Sequence, residues 1–161
     1  MMNEEILQLA EQAGQALLER KLLLVTAESC TGGWVSEAIT AIAGSSQWFD
    51  RGFVTYSNQA KREMLGVAEE TLGNFGAVSE QTVREMVAGA LQASVANAAL
   101  AVSGIAGPGG ALPGKPVGTV CFAWTVKSGA PITETWLLAG DRTAIRRQAV
   151  IIALQGVLRL V

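Results

Sequence analysis

Two short apolar runs, at residues 22–26 and 98–102, constrain this chain more than any other feature. Neither alternates apolar with polar positions, so neither reads as a strand with one face in water. Runs of this kind are the signature of buried strands. Each also stops abruptly in a polar, glycine-containing turn. The first passes into Ala27-Glu28-Ser29-Cys30-Thr31-Gly32-Gly33 and the second into Ser103-Gly104-Ile105-Ala106-Gly107.

The segments between and around these runs carry helical spacing. Residues 3–20 read as a helix that Asn3 can cap, with Ile6, Ala10, Ala13 and Leu17 on one side. Residues 31–43 read as a second helix, with Val35, Ala38, Ile39 and Ile42 inward. Residues 53–56 are expected to form a strand, followed by a short helix capped by Ser57 and reaching about residue 65. A further short helix is expected at 69–74. Ser79 opens a longer one whose buried stripe is Val83, Met86, Val87, Ala90 and Leu91. Residues 117–126 and 132–138 read as a hairpin joined by Lys127-Ser128-Gly129-Ala130-Pro131. Asp141 caps a last helix with Ile145, Ala149, Ile152 and Gly156 on its inner face. Strands alternating with helices predict a single layered α/β domain over residues 1–161, and the hairpin makes its sheet mixed rather than purely parallel.

Composition removes several function classes. Half of the 161 residues are apolar, which excludes a disordered chain, yet the apolar runs are too short to span a bilayer. The start Met1-Met2-Asn3-Glu4-Glu5 lacks the basic residues of a signal peptide, so a cytoplasmic protein without membrane partners is expected. A net charge of −2 gives no footprint for nucleic acid. The chain has no histidine. That rules out a Ser-His-Asp triad, a Cys-His pair and imidazole-based zinc sites. Cys30 and Cys121 form no disulfide framework and no ligand cluster, so neither metal nor cofactor is expected. A hydrolase built on this sequence must take its general base from Lys, Tyr, Asp or Glu.

The turn after the first run is where such chemistry would sit. Side chains at the carboxyl ends of these strands face the ligand crevice, and the opening amides of the next helix can hold an oxyanion or phosphate. Ser29 is then a candidate nucleophile beside those amides, with Gly32 and Gly33 permitting close approach of a ligand. Ser29 or Thr31 could equally be a plain helix cap. Cys30 reads as a small core residue rather than a rival nucleophile. Lys61 shares a helix face with Met64 and Leu65, and burial there would lower its pKa toward the range of a base. A lysine that snorkels to solvent is the alternative. Tyr56, the sole tyrosine, ends a strand five residues earlier and could relay a proton or steady the lysine. The glycine-rich loop from Ser103 is expected to border the same crevice. Arg142 and Arg146, one turn apart, form a usable anion clamp.

Taken in order, Thr26-Ala27-Glu28-Ser29-Cys30-Thr31-Gly32-Gly33, Gly44-Ser45-Ser46, Gly52-Phe53-Val54-Thr55-Tyr56-Ser57-Asn58 through Lys61, Gly76-Ala77-Val78-Ser79, Ser103 to Pro108, Lys115-Pro116-Val117-Gly118-Thr119 and Gly140-Asp141-Arg142 resemble the CinA C-terminal-domain family in its stand-alone nicotinamide-nucleotide amidase form. The resemblance implies a three-layer α/β/α fold with a mixed, mostly parallel sheet, and hydrolysis of the carboxamide of nicotinamide mononucleotide to nicotinate mononucleotide and ammonia, without a metal. It implies Ser29 as nucleophile, Lys61 as base and Tyr56 as its partner. It places Thr31, Gly32, Gly33, Ser103, Gly104 and Gly107 around the nucleotide, and it puts the family's arginine at Arg142 or Arg146. One stretch departs from the family pattern: Gly109-Gly110-Ala111-Leu112-Pro113-Gly114 has lost the usual polar residues. A catalytically weak paralogue that binds a nucleotide is therefore the rival expectation. The apolar helices leave room for a homodimer.

Overall fold

The computed structural model describes residues 3–161. A five-stranded sheet runs through the middle in the order β2-β1-β3-β4-β5. Strands β1 (Leu24–Glu28), β2 (Phe49–Val54) and β3 (Ala98–Gly104) are mutually parallel. β4 (Thr119–Val126) and β5 (Ile132–Leu137) continue the sheet as the expected antiparallel hairpin. The sheet is mixed, with a parallel core, as anticipated.

Helices cover both faces. On one side α1 (Glu4–Glu19), α2 (Trp34–Thr40) and α6 (Arg142–Leu160) bury Leu24, Leu100, Val102, Phe122 and Trp124. On the other side α3 (Asn58–Leu65), α4 (Glu69–Phe75) and α5 (Glu80–Gln92) pack over Val25, Ala27, Ala99, Ala101 and Ala123. Alternate residues of the same strands feed the two layers, which is why neither central strand alternates apolar with polar residues. Asn3, Ser57, Ser79 and Asp141 cap their helices through side-chain oxygens that accept from backbone amides.

Three elements differ from expectation, and two of them shape the site. β1 begins at Leu24 and continues to Glu28, so it carries a carboxylate into the buried layer. α2 begins only at Trp34, because Gly32 and Gly33 adopt left-handed φ values of 59° and 102° that interrupt helical geometry. β2 covers Phe49–Val54 rather than 53–56, pairing in parallel with β1 from Leu24 onward. Tyr56 therefore lies beyond the strand end.

The chain adds β2 on one flank of β1 and then returns to add β3 on the other. In a parallel sheet that change of direction opens a crevice beyond the carboxyl ends of the two strands. Ser29 follows β1 directly, and Ser103 and Gly104 close β3.

Candidate active site

A pocket of about 240 Å³ occupies this crevice. Ser29, Tyr56, Lys61, Ser103, Gly104 and Arg142 all line it. Residues remote in sequence meet there because β1, β2 and β3 end side by side and α6 starts above them.

Lys61 is the most unusual group. Its side chain is 1% exposed, so it does not snorkel to solvent. The Nζ lies 2.9 Å from Ser29 Oγ, 2.8 Å from the Thr55 carbonyl and 3.2 Å from the Tyr56 carbonyl. Burial is the main cause that pulls its pKa down from 10.5 to about 8. The expected apolar face is only half present: Leu65 is buried with Lys61, but Met64 is 43% exposed. The protein desolvates this amine with backbone carbonyls and the nucleophile turn more than with its own helix face.

The geometry orients the amine as well as burying it. A neutral amine has N–H donors and one lone pair. Nζ donates to Ser29 Oγ as well as to the two carbonyls, and Ser29 Oγ donates to the Tyr56 carbonyl at 3.4 Å; once the amine is neutral and its two N–H groups stay on the carbonyls, its lone pair is the part that faces Ser29 Oγ. The segment that carries these carbonyls is tied to β1, since the Thr55 amide donates to the Glu28 carbonyl at 2.8 Å. The end of β1 thus supplies the serine and anchors the lysine's acceptors.

Tyr56 behaves differently from expectation. Its backbone carbonyl steadies Lys61, but the residue is 64% exposed and its hydroxyl lies 3.3 Å from Arg142 Nη2. The phenol stands at the mouth of the pocket beside the arginine. Tyr56 reaches the lysine through its main chain, which no sequence pattern encodes.

The two arginines separate. Arg142 lines the pocket and donates through Nη1 to the Gly107 carbonyl at 2.7 Å. Arg146 points into the turn beneath: Nε donates to the Cys30 carbonyl at 3.0 Å and Nη2 to the Thr31 carbonyl at 3.1 Å. Its guanidinium also lies over the Trp34 ring, 5.5 Å from the centroid. The two arginines do not form one clamp. Gly107 contributes a carbonyl to Arg142 and is not among the lining residues.

The expected anion seat at the start of α2 is occupied from within. Glu28, fully buried, accepts from Thr31 Oγ1 at 2.6 Å and from the amides of Gly33 at 3.2 Å and Val35 at 2.9 Å through one carboxylate oxygen. Its other oxygen accepts from the Ser36 amide at 3.0 Å and the Ser36 hydroxyl at 2.8 Å. Such a carboxylate belongs at the positive end of a helix, and the amides it takes are not free for a substrate phosphate. Thr31, Gly32 and Gly33 accordingly lie outside the pocket lining. The two glycines take the left-handed φ values that the turn requires. Neither Ser29 nor Thr31 caps α2; Glu28 does that from the preceding strand. The clue in the sequence is an acidic residue, Glu28, at the end of a buried strand, where a carboxylate is costly unless several donors converge on it.

Cys30 is buried in the core layer over β1, and burial pushes its thiol up to about 12, with the Glu28 charge adding to the effect. It is not poised as a thiolate. The Gly109-to-Gly114 stretch is exposed, and none of it is among the residues lining this pocket. Its lost polarity does not touch the serine–lysine pair. A larger groove of about 440 Å³, lined by Phe75, Glu80, Arg84 and Lys115 among others, lies alongside, and its Lys115 ammonium is held 2.6 Å from the Phe75 carbonyl.

The family model of the CinA C-terminal domain matches residues 6–161. The chain belongs to the CinA C-terminal domain family. Within that family it is 58% identical over 155 residues to a protein of Escherichia coli K12 named nicotinamide-nucleotide amidohydrolase PncC, covering 96% of this chain and 94% of the other. It is 51% identical to a protein of the same name from Pseudomonas putida, with 98% of each chain covered. A crystal structure of the competence/damage inducible protein CihA of Agrobacterium tumefaciens superposes with a TM-score of 0.95 at 47% identity, covering 99% of this chain and 97% of that one. Among the described residues, no helix of this CinA-family chain is long and apolar enough to cross a membrane.

Proposed function

We propose that this chain is a nicotinamide-nucleotide amidohydrolase that converts the carboxamide of nicotinamide mononucleotide to the carboxylate and releases ammonia. The observation that carries the mechanism is the 2.9 Å contact between Lys61 Nζ and Ser29 Oγ, with both groups buried and the amine held by two carbonyls. The names of the relatives support the substrate.

In this reading Ser29 Oγ attacks the carboxamide carbon and Lys61 takes the hydroxyl proton. The tetrahedral adduct collapses as the C–N bond breaks, and the Lys61 ammonium gives that proton to the departing nitrogen, which leaves as ammonia. Water then attacks the ester carbon. Lys61 accepts a proton from it, the C–O bond to Ser29 breaks, and that proton returns to Ser29 Oγ; the product leaves as the carboxylic acid and gives water's second proton to solvent, becoming the carboxylate. One lysine serves as base and acid in turn, which suits a group whose pKa lies close to neutral. Ser103, on the facing wall, offers a hydroxyl to the carboxamide. Arg142 keeps N–H groups free after its bonds to Gly107 and Tyr56 and meets the phosphate as a charge-assisted donor. No step calls on a metal or cofactor, so activity is expected to survive chelation.

The test is ammonia release from nicotinamide mononucleotide by purified protein, with Ser29→Ala alongside. The expected result is turnover by the wild type and none by the variant. A folded wild-type protein that binds the nucleotide but releases no ammonia would instead support a nucleotide-binding paralogue.

A further inference from the structure

The Ser29 turn is gripped from two sides by charged residues that do not line the pocket. Below it, the Glu28 carboxylate gathers the amides of Gly33, Val35 and Ser36 together with the hydroxyls of Thr31 and Ser36. Beside it, Arg146 holds the carbonyls of Cys30 and Thr31. The residue next to the nucleophile is thus fixed through its carbonyl, and the helix that follows is fixed through its amides. The network continues inward. Ser36 Oγ lies 2.9 Å from Thr26 Oγ1, and Gly52 on the neighbouring strand has no side chain because a Cβ there would run into both hydroxyls. The turn itself contributes two left-handed glycines, which by themselves would leave it pliable.

We infer that Glu28 and Arg146 are positioning residues of the hydrolysis, setting where Ser29 Oγ stands relative to Lys61, while Arg142 is the one of the two arginines that meets substrate. The inference rests on the hydrolytic reading above. It gives a role to a carboxylate that the catalytic steps do not use, and it divides two arginines that are interchangeable by sequence. Misplacing a nucleophile by about 1 Å can cost on the order of a hundredfold in rate, while substrate contacts made elsewhere are untouched. Positioning residues should therefore act on kcat and not on KM.

The experiment compares Glu28→Gln, Arg146→Lys, Arg146→Ala and Arg142→Ala, each checked for folding by circular dichroism. Two quantities are measured: steady-state ammonia release from nicotinamide mononucleotide, and the rate at which a small uncharged sulfonyl fluoride labels Ser29. In Glu28→Gln the amide nitrogen would face the Ser36 amide, donor against donor, so the turn must shift. Expected for Glu28→Gln and Arg146→Ala is a kcat lowered by about a hundredfold at unchanged KM, with labelling slowed in proportion. Free guanidinium should restore part of both rates in Arg146→Ala, and Arg146→Lys should fall between that variant and the wild type. Arg142→Ala should raise KM. A folded Arg146→Ala or Glu28→Gln with wild-type kcat and labelling, or with its loss confined to KM, would overturn the inference. If Arg146→Ala does not fold, Glu28→Gln decides the matter by the same two readouts. Ser29→Ala run in parallel separates the two levels. Its activity would sink the hydrolytic reading itself, whereas an inactive Ser29→Ala with unaffected Glu28 and Arg146 variants sinks only the positioning role.

Discussion

Raising the pH from 7 to 9 is the perturbation to which Lys61 should respond most. Burial brings its pKa from 10.5 to about 8. At pH 7 a lysine titrating near 8 is neutral in about 9% of molecules, against about 0.04% for an unperturbed one, a gain of roughly two-hundredfold in competent base. Because the neutral fraction then climbs to about 91% at pH 9, kcat/KM should rise about tenfold over that interval and level off beyond it. The sign follows from the role: the amine must be unprotonated to accept the Ser29 proton, so activity grows as the ammonium is lost. The assay is initial-rate ammonia release across pH 6–10. Lys61→Arg is the companion, since a guanidinium stays charged throughout and cannot act as base. It should be inactive at every pH. A flat profile between pH 7 and 9, or an active Lys61→Arg with the wild-type profile, would refute the assignment of Lys61 as base.

The same lysine carries a stability cost. Its folded pKa is below its unfolded value, so the unfolded chain holds more protons between about pH 8 and 10.5 and wild-type stability should rise with pH across that window. Lys61→Met, measured by urea unfolding, should gain most on the wild type below pH 8, by on the order of 3 kcal/mol less the cost of the carbonyls left unpaired, and the gap should close by pH 10.5. Gly52→Ala should lose about 1–3 kcal/mol, seen as a lower urea midpoint, because its Cβ would collide with Ser36 Oγ and Thr26 Oγ1. Iodoacetamide at pH 8 should leave activity intact and Cys30→Ala should remain active, since the Cys30 thiol is buried and titrates at about 12. Arg142→Ala should weaken nicotinamide mononucleotide by about tenfold or more in KM while changing the handling of nicotinamide riboside far less, because a charge-assisted bond to phosphate is worth roughly 1.5–3 kcal/mol; equal losses for both substrates would remove Arg142 from the phosphate.

The sequence by itself determined the layers. Runs without alternation at 22–26 and 98–102 had to lie between helices, and cap residues at Asn3, Ser57, Ser79 and Asp141 set the helix starts. The absence of histidine narrowed the base of any hydrolase to a few residue types, and Lys61 five positions past Tyr56 stood out among them. These are local properties, fixed by periodicity, composition and short-range hydrogen bonding. Only the tertiary structure decided what each polar group faces. It set Lys61 against two carbonyls and Ser29, turned the Tyr56 ring outward to Arg142, sent Arg142 and Arg146 to different backbone carbonyls, and filled the start of α2 with Glu28. Those outcomes depend on backbone atoms and on the register of three parallel strands. A carbonyl carries no side-chain label, and a carboxylate in a strand shows its use only when the donors of the next helix close over it.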